Sequence, residues 1–281
     1  MSAPTSPSVL DSIVAAARKR VEVARDRRSL AELERIVADA RSAGGATAVA
    51  ASFADALSQP GLRVIAECKR RSPSKGILRA QYDPVSIATG YARAGAAAVS
   101  VLTEPGFFDG DLDHLIAVRR ALPALPLLRK DFTVDAYQIA EAAAAGASAV
   151  LLIVAALEQA ELVRLLSYAN QIGIDVLTEV HDEDEARRAI DAGARIVGVN
   201  NRNLKTLAVS IETSYRVAPI IATADVRVAE SGLRTGHDLA ALHDAGYAAF
   251  LIGERFMTEA EPGTALTQVM TDAGEAMRAR S

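Results

Sequence analysis

The chain is predicted to fold as an α/β protein, a single (β/α)8 TIM barrel with an N-terminal helical extension. Three features of the 281-residue sequence predict it: a fourfold repeat of helix-ending Ala-Gly pairs, a second series of short apolar segments interleaved with that repeat, and a composition rich in aliphatic and poor in aromatic residues.

The repeat sets the architecture. Ala94-Gly95 precedes an apolar segment at 98–102, Ala145-Gly146 one at 149–153, Ala192-Gly193 one at 196–199, and Ala245-Gly246 one at 249–252. Glycine here is a stop signal, because the residue closing a helix often takes the left-handed conformation that a Cβ opposes. The copies recur about every fifty residues, enough for two βα units each. Segments at 64–66, 125–128, 174–177 and 226–229 supply the second strand of each interval. Between them run stretches of helical periodicity, such as Ile87, Tyr91 and Ala94, or Leu162, Leu165, Leu166 and Ala169. Strands alternating with helices in this way pair in parallel through right-handed crossovers, and eight of them can close without an exposed edge. A doubly wound open sheet is the rival arrangement, but it does not require the fourfold spacing.

Composition agrees. Half the residues are hydrophobic, only 4% are aromatic and there is no Trp, so Ala, Val, Leu and Ile must fill the core, as suits buried parallel strands. The formal charge is −4 and the 31 basic residues are scattered, which argues against a nucleic-acid partner and for a small soluble substrate. Cys68 is the single cysteine, so no internal disulfide forms and a reducing compartment is expected. The first seven residues lack a basic stretch followed by an apolar run, and no later segment suits a bilayer, so the expectation is a cytoplasmic protein without a membrane partner. A monomer is compatible with everything in the sequence.

Residues 1–61 precede the first βα unit and form the helical extension; residues 62–281 form the catalytic barrel, the two making one structural domain. Ser8 with Asp11 and Ser29 with Glu32 have the spacing of capping boxes. Each precedes a helical stripe, Leu10, Ile13, Val14, Ala17 and Val21 in one case and Leu30, Leu33, Ile36 and Val37 in the other. Ser42-Ala43-Gly44-Gly45 reads as a turn into a further helix near 49–57. These helices either cap the barrel's bottom or overhang its mouth, and the pattern is the same for both.

Barrel enzymes carry their chemistry at the C-terminal ends of strands, so charge at those positions is informative. The first strand ends in Glu67-Cys68-Lys69, where alternation puts Glu67 and Lys69 on one face. The third ends in Arg129-Lys130-Asp131, the fifth in Thr178-Glu179, the sixth in Asn200-Asn201-Arg202, and the seventh in Glu230-Ser231-Gly232. Such groups either bridge neighbouring strands or line a reaction site, but an aliphatic layer would close a barrel at lower cost than buried charge. Of the 31 basic side chains only Lys19, Lys69, Lys75, Lys130 and Lys205 are lysines, yet lysines occupy the inner face at strands one and three. An ammonium can release a proton where a guanidinium cannot. Ser231-Gly232 after the seventh strand and Gly253-Glu254 after the eighth, ahead of a short helix near 255–257, are turns whose backbone N–H groups suit a phosphate. His114, His181, His237 and His243 lack metal-ligand spacing and read as solvated or capping side chains, so no metal is expected.

Five segments carry a resemblance. Ile65-Ala66-Glu67-Cys68-Lys69-Arg70-Arg71-Ser72-Pro73-Ser74-Lys75-Gly76 is similar to the first strand and loop of the indole-3-glycerol-phosphate synthase family. So are Leu102-Thr103-Glu104-Pro105-Gly106-Phe107-Phe108-Asp109-Gly110, Leu128-Arg129-Lys130-Asp131-Phe132, Gly198-Val199-Asn200-Asn201-Arg202-Asn203-Leu204 and Ala229-Glu230-Ser231-Gly232, in order along residues 62–257. The resemblance implies a lyase of tryptophan biosynthesis that closes an indole ring on 1-(2-carboxyphenylamino)-1-deoxyribulose 5-phosphate, losing carbon dioxide and water, without cofactor or metal. It implies Lys130 as principal general acid, Glu179 as base, Lys69 as a cation that assists the acid steps or pairs with substrate charge, Glu67 as orienter of the lysines, and Asn200 and Glu230 on the sugar or intermediate. Ser72 and Arg202 would line the mouth. Phe107, Phe108, Phe132 and Leu204 would form an apolar slot for the anthranilate ring. Ser231, Gly232, Gly253 and Glu254 would hold the phosphate, Glu254 through its backbone N–H alone since its carboxylate would repel the ligand. The loop carrying Lys69, Pro73, Lys75 and Gly76 could fold over substrate. Two alternatives stand beside this: a related phosphate-binding barrel isomerase, which would draw its acid–base pair from cysteine or aspartate, and a non-catalytic phosphosugar-binding barrel.

Overall fold

Gly95, Gly146, Gly193 and Gly246 all carry φ between +83° and +97°, each closing a helix immediately ahead of a barrel strand. The computed structural model describes residues 8–42, 52–204 and 206–280. In it, eight strands close into a parallel barrel: β1 (Arg63–Cys68), β2 (Ala98–Leu102), β3 (Leu127–Lys130), β4 (Ala149–Ile153), β5 (Asp175–Val180), β6 (Ile196–Asn200), β7 (Val226–Glu230) and β8 (Ala249–Ile252). Each pairs with its neighbours in sequence, and β8 returns to β1 with Arg63 opposite Ala249. A helix follows every strand, from Pro84–Arg93 after β1 to Pro262–Arg278 after β8. The expected (β/α)8 barrel is therefore the fold.

Two strands sit a little later than the sequence suggests. β3 starts at Leu127 because Pro126 has no N–H for the ladder, although its carbonyl accepts from Val99. β5 starts at Asp175 because Ile174 still donates to Ala169 at the preceding helix end.

Alternation along the strands separates two apolar layers. Outward residues such as Val64, Ala66 and Cys68 on β1 pack under the helices, whereas inward Ile65, Leu128, Ala149, Leu151, Leu177, Ile196, Val228 and Leu251 fill the barrel. The same parity aims Glu67, Lys130, Glu179, Asn200 and Glu230 inward at the top. It also sends Arg129 outward, where it donates to Gln138 O and pairs with Glu141 at 2.8 Å.

The extension serves both ends of the barrel. α1 (Val9–Arg27) begins in a complete Ser8/Asp11 capping box, buries Ile13, Ala17 and Val21, and reaches over the mouth. α2 (Leu30–Ser42) buries Leu33 and Val37; the Ser29 hydroxyl accepts from Glu32 N–H, while the Glu32 carboxylate turns to Arg28. α3 (Phe53–Leu57) plugs the bottom: Phe53 and Leu57 are fully buried against the inward layer, and Asp175 at the start of β5 accepts from Ala54 N–H. The expected turn at 43–45 and the first residues of the expected helix at 49–57 lie outside the described residues.

Candidate active site

At the C-terminal end of the barrel is a cavity of about 580 Å³. Its floor is a charge cluster centred on Lys130, whose Nζ lies 3.0 Å from Glu230 Oε2, 3.3 Å from Glu179 Oε2 and 4.0 Å from Glu67 Oε2. Lys69 pairs with the other oxygen of Glu67. Asn200 donates to Glu179 Oε1 at 3.1 Å and accepts the Arg202 N–H at 3.0 Å, so it ties the base candidate to the loop after β6.

Burial alone would neutralise these groups, since a lone charge in this setting costs several kcal/mol. Mutual neutralisation keeps them ionised. Burial opposes the Lys130 charge, but Glu230, Glu179 and Glu67 outweigh it and raise its pKa well above the ordinary lysine value. Burial likewise opposes ionisation of Glu179 and Glu67, yet Lys130 with His181 on one, and Lys69 with Lys130 on the other, hold both below the usual carboxylate range. Glu230 goes the other way: burial pushes it up to about 7, with Glu179 adding and Lys130 opposing.

Two glycines make room for this cluster. A Cβ on Gly198 would lie 2.1 Å from Glu230 Oε1, and one on Gly253 would lie 2.3 Å from Glu67 Oε1. Gly253 is thus explained by the carboxylate beneath it as much as by any ligand above it.

One side of the cavity is apolar, lined by Phe108, Phe132, Leu204, Leu102 and Ile153 and by Val9, Leu10 and Ile13 of α1. Phe108 and Phe132 lie with ring centroids 6.1 Å apart. The turn that carries Phe108 is organised by Glu104, whose buried carboxylate accepts the N–H groups of Gly106, Phe107 and Phe108 and pairs with Arg20 of α1 at 3.1 Å. Arg20 also reaches Asp131 at 3.2 Å, so α1 is pinned to the residues flanking Lys130.

Much of the polar lining comes from the turns after β7 and β8. Ser231 and Gly232 follow β7 with φ of 63° and 77°, a pair of left-handed residues held by Asn201, which donates to Ser231 O at 3.2 Å. Gly253, Glu254, Arg234 and Arg255 complete that lining, and Ser72 lines the cavity from the loop after β1.

The structure brings together Lys130, Glu179, Lys69, Glu67, Asn200, Ser72, Phe108, Phe132, Arg202, Leu204, Glu230, Ser231, Gly232, Gly253 and Glu254 around one cavity. Phe107 is not among its lining residues; on the short helix Pro105–Phe108 adjacent side chains diverge by about 100°, so Phe107 and Phe108 do not share a face. Glu254 does not present its backbone alone. Its carboxylate sits in the mouth, 3.3 Å from Arg202, which offsets its charge. His181 is not solvated: its side chain is 8% exposed and lies between Glu179 and Glu185. Sequence reading also missed Arg234, two residues after the Ser231-Gly232 turn, Arg255, directly after Gly253-Glu254, and the α1 residues among the apolar lining.

Fold and site together define a (β/α)8-barrel protein whose buried cluster of lysines and carboxylates faces a cavity lined by apolar side chains and by two glycine turns. Residues 10–269 match the family described as indole-3-glycerol phosphate synthase, and the chain belongs to that family. It is 49% identical over 268 residues to indole-3-glycerol phosphate synthase 1 of Streptomyces coelicolor, covering 95% of this chain and 96% of that one. It is 44% identical over 262 residues to indole-3-glycerol phosphate synthase of Desulfotalea psychrophila, covering 93% and 98%. Among solved structures it resembles a 3-hexulose-6-phosphate synthase (TM-score 0.57, 14% identity, 75% of this chain and 99% of that one) and a mandelate oxidase (TM-score 0.59, 18% identity, 89% and 93%), likenesses of fold alone.

Proposed function

We infer that the chain is the enzyme that converts 1-(2-carboxyphenylamino)-1-deoxyribulose 5-phosphate into indole-3-glycerol phosphate, with loss of carbon dioxide and water. The observation that carries this reading is the position of Lys130 among Glu67, Glu179 and Glu230 on a cavity floor between an apolar wall and the Ser231-Gly232 turn.

The substrate has an aromatic ring at one end and a phosphate at the other, and the two walls are matched to those ends. Phe108, Phe132, Leu204 and the α1 residues take the anthranilate ring, and the turns at Ser231-Gly232 and Gly253-Glu254, with Arg234 and Arg255, take the phosphate. The reacting carbons then lie over Lys130. The ring carbon attacks the ketone and Lys130, kept loaded with a proton by its three carboxylates, protonates the developing alkoxide. Carbon dioxide leaves to restore the ring, and the hydroxyl departs as water with a proton from the second ammonium, Lys69, while Glu179 accepts the proton lost from the intermediate. Lys69 is a second cation for these steps, Glu67 holds both lysines in place, and Asn200 and Glu230 bind the sugar portion.

One chain supplies every group in this scheme, so a monomer suffices. The reaction belongs in the cytoplasm, whose reducing conditions suit the lone buried Cys68. Among the described residues no helix is long and apolar enough to cross a membrane. Mixing the protein with the carboxyphenylamino-deoxyribulose phosphate and following indole fluorescence tests the function. Product formation supports it; tight binding without turnover would leave a phosphosugar-binding barrel instead.

A further inference from the structure

We propose that His181 is a positioning residue for Glu179: a charged imidazole, clamped from behind by Glu185, that keeps the Glu179 carboxylate unprotonated and fixed toward the cavity. The proposal rests on the reading of Glu179 as the base.

His181 follows β5 and is not among the residues lining the cavity. Its Nε2 lies 3.2 Å from Glu179 Oε1, an ion-pair contact whose alignment falls short of a hydrogen bond. Its Nδ1 lies 3.0 Å from Glu185 Oε2, and that same oxygen accepts the His181 backbone N–H at 2.9 Å. Glu185 belongs to the helix Glu183–Asp191 and is thereby locked to both ends of the histidine.

Both ring nitrogens therefore face carboxylate oxygens. A neutral imidazole has one N–H and one lone pair, and in this setting the lone pair would be pressed against a carboxylate. The imidazolium satisfies both contacts. Burial opposes that charge, yet Glu179 and Glu185 outweigh it and push the His181 pKa up to about 10.

Glu179 is consequently gripped from two sides. Lys130 holds Oε2 from the cavity, while Asn200 and His181 hold Oε1 from the wall. Two cations on one carboxylate make it a weak base at rest. Once Lys130 has given its proton to the alkoxide, one of those cations is gone and Glu179 becomes more basic for the step that follows. His181 keeps the carboxylate aimed, and ionised until it takes up the proton, without touching substrate.

The ionisable groups facing the pair are Glu185 from the following helix, Lys130 from β3, Glu67 from β1 and Glu230 from β7. Replacing His181 by Gln keeps a donor near Glu179 but removes the charge, so the Glu179 pKa rises. In the pH dependence of kcat, the acidic limb of His181→Gln is expected to move upward by about one pH unit or more relative to wild type, with KM changed less than threefold. Glu185→Gln is expected to move it in the same direction by less. A uniform loss of rate with the limb unmoved would overturn the proposal, since that is the signature of a structural role.

A second measurement needs neither turnover nor a variant. Nitrogen-15 NMR of the wild-type imidazole is expected to show His181 protonated on both nitrogens up to pH 8. A neutral ring at pH 7 would overturn the proposal. If the protein forms no indole, the reading of Glu179 as base fails, and the NMR result still decides the state of His181.

Discussion

The carboxylate of Glu230 sits 3.0 Å from the Lys130 ammonium through one oxygen, while its other oxygen is buried without a hydrogen-bond partner in the space left by the missing side chain of Gly198. One carboxylate is thus half satisfied beside Lys130. An oxygen in that state is a place for a substrate hydroxyl or a proton; burial, with Glu179 adding, pushes Glu230 up to about 7, while Glu179, with both oxygens engaged, is held down.

Glu230 makes stability depend on pH in a definite direction. Its folded pKa is raised above the unfolded value, so its contribution is fully present below about 4.5 and is lost as pH rises through about 7. Glu230→Gln removes that loss. Chemical denaturation of both proteins at pH 5 and pH 8 is expected to show the variant gaining on wild type at the higher pH, by about 3 kcal/mol at most. A gain at the lower pH instead would contradict the assignment of a raised pKa.

Gly198→Ala tests the space rather than the charge. The new Cβ would collide with Glu230 Oε1 and approach Leu177 Cδ1 at 3.1 Å, so the carboxylate must swing away from Lys130. Turnover is expected to fall by about tenfold or more, with a stability loss of about 1–3 kcal/mol from overpacking. Unchanged kcat would show that Glu230 does not need its present position.

Arg20 links the extension to the site. Its partners Glu104 and Asp131 are almost completely buried, while Arg20 itself is one-third exposed. Arg20→Met leaves both carboxylates with their other donors, the N–H groups of residues 106–108 on one and Thr103 with Arg129 on the other. The cost should therefore fall near 2 kcal/mol, below the ~3–5 kcal/mol of stripping a buried charge bare. Urea unfolding measures it, and KM is expected to rise as α1 loosens over the ring pocket.

Gly232→Ala is aimed at the turn proposed to hold the phosphate. At φ of 77° a Cβ is strained, and here it would also meet Val209 Cγ1 at 2.6 Å. KM for the phosphorylated substrate is expected to rise severalfold while kcat changes less, because the turn binds ground state and transition state alike. A pure kcat effect would detach this turn from phosphate binding.

Much of this was legible in the sequence, for physical reasons that also mark where legibility ends. The strands at 98–102, 149–153 and 249–252 were readable to the residue because an Ala-Gly stop fixes their start and the apolar run fixes their length. Glu67, Lys130, Glu179 and Asn200 stood out because period-two alternation aims them inward where an aliphatic residue would otherwise sit. The placement of α1 was not readable: an apolar stripe says that a helix is buried, not against which end of a barrel. Phe107 and Phe108 were indistinguishable as neighbours until their short helix was seen. His181 had a faint signal, two residues beyond Glu179 and four before Glu185, but burial between two carboxylates is a tertiary fact. Lys205 lies outside the described residues.

Lys130→Met is the sharpest probe, since methionine keeps much of the volume and removes the proton. Substrate binding by the variant is expected to stay within about tenfold of wild type, while indole formation under single-turnover conditions falls by about 10²–10⁴. Indole appearing at close to the wild-type rate in that variant would contradict the role of Lys130 as the acid on which the whole scheme turns.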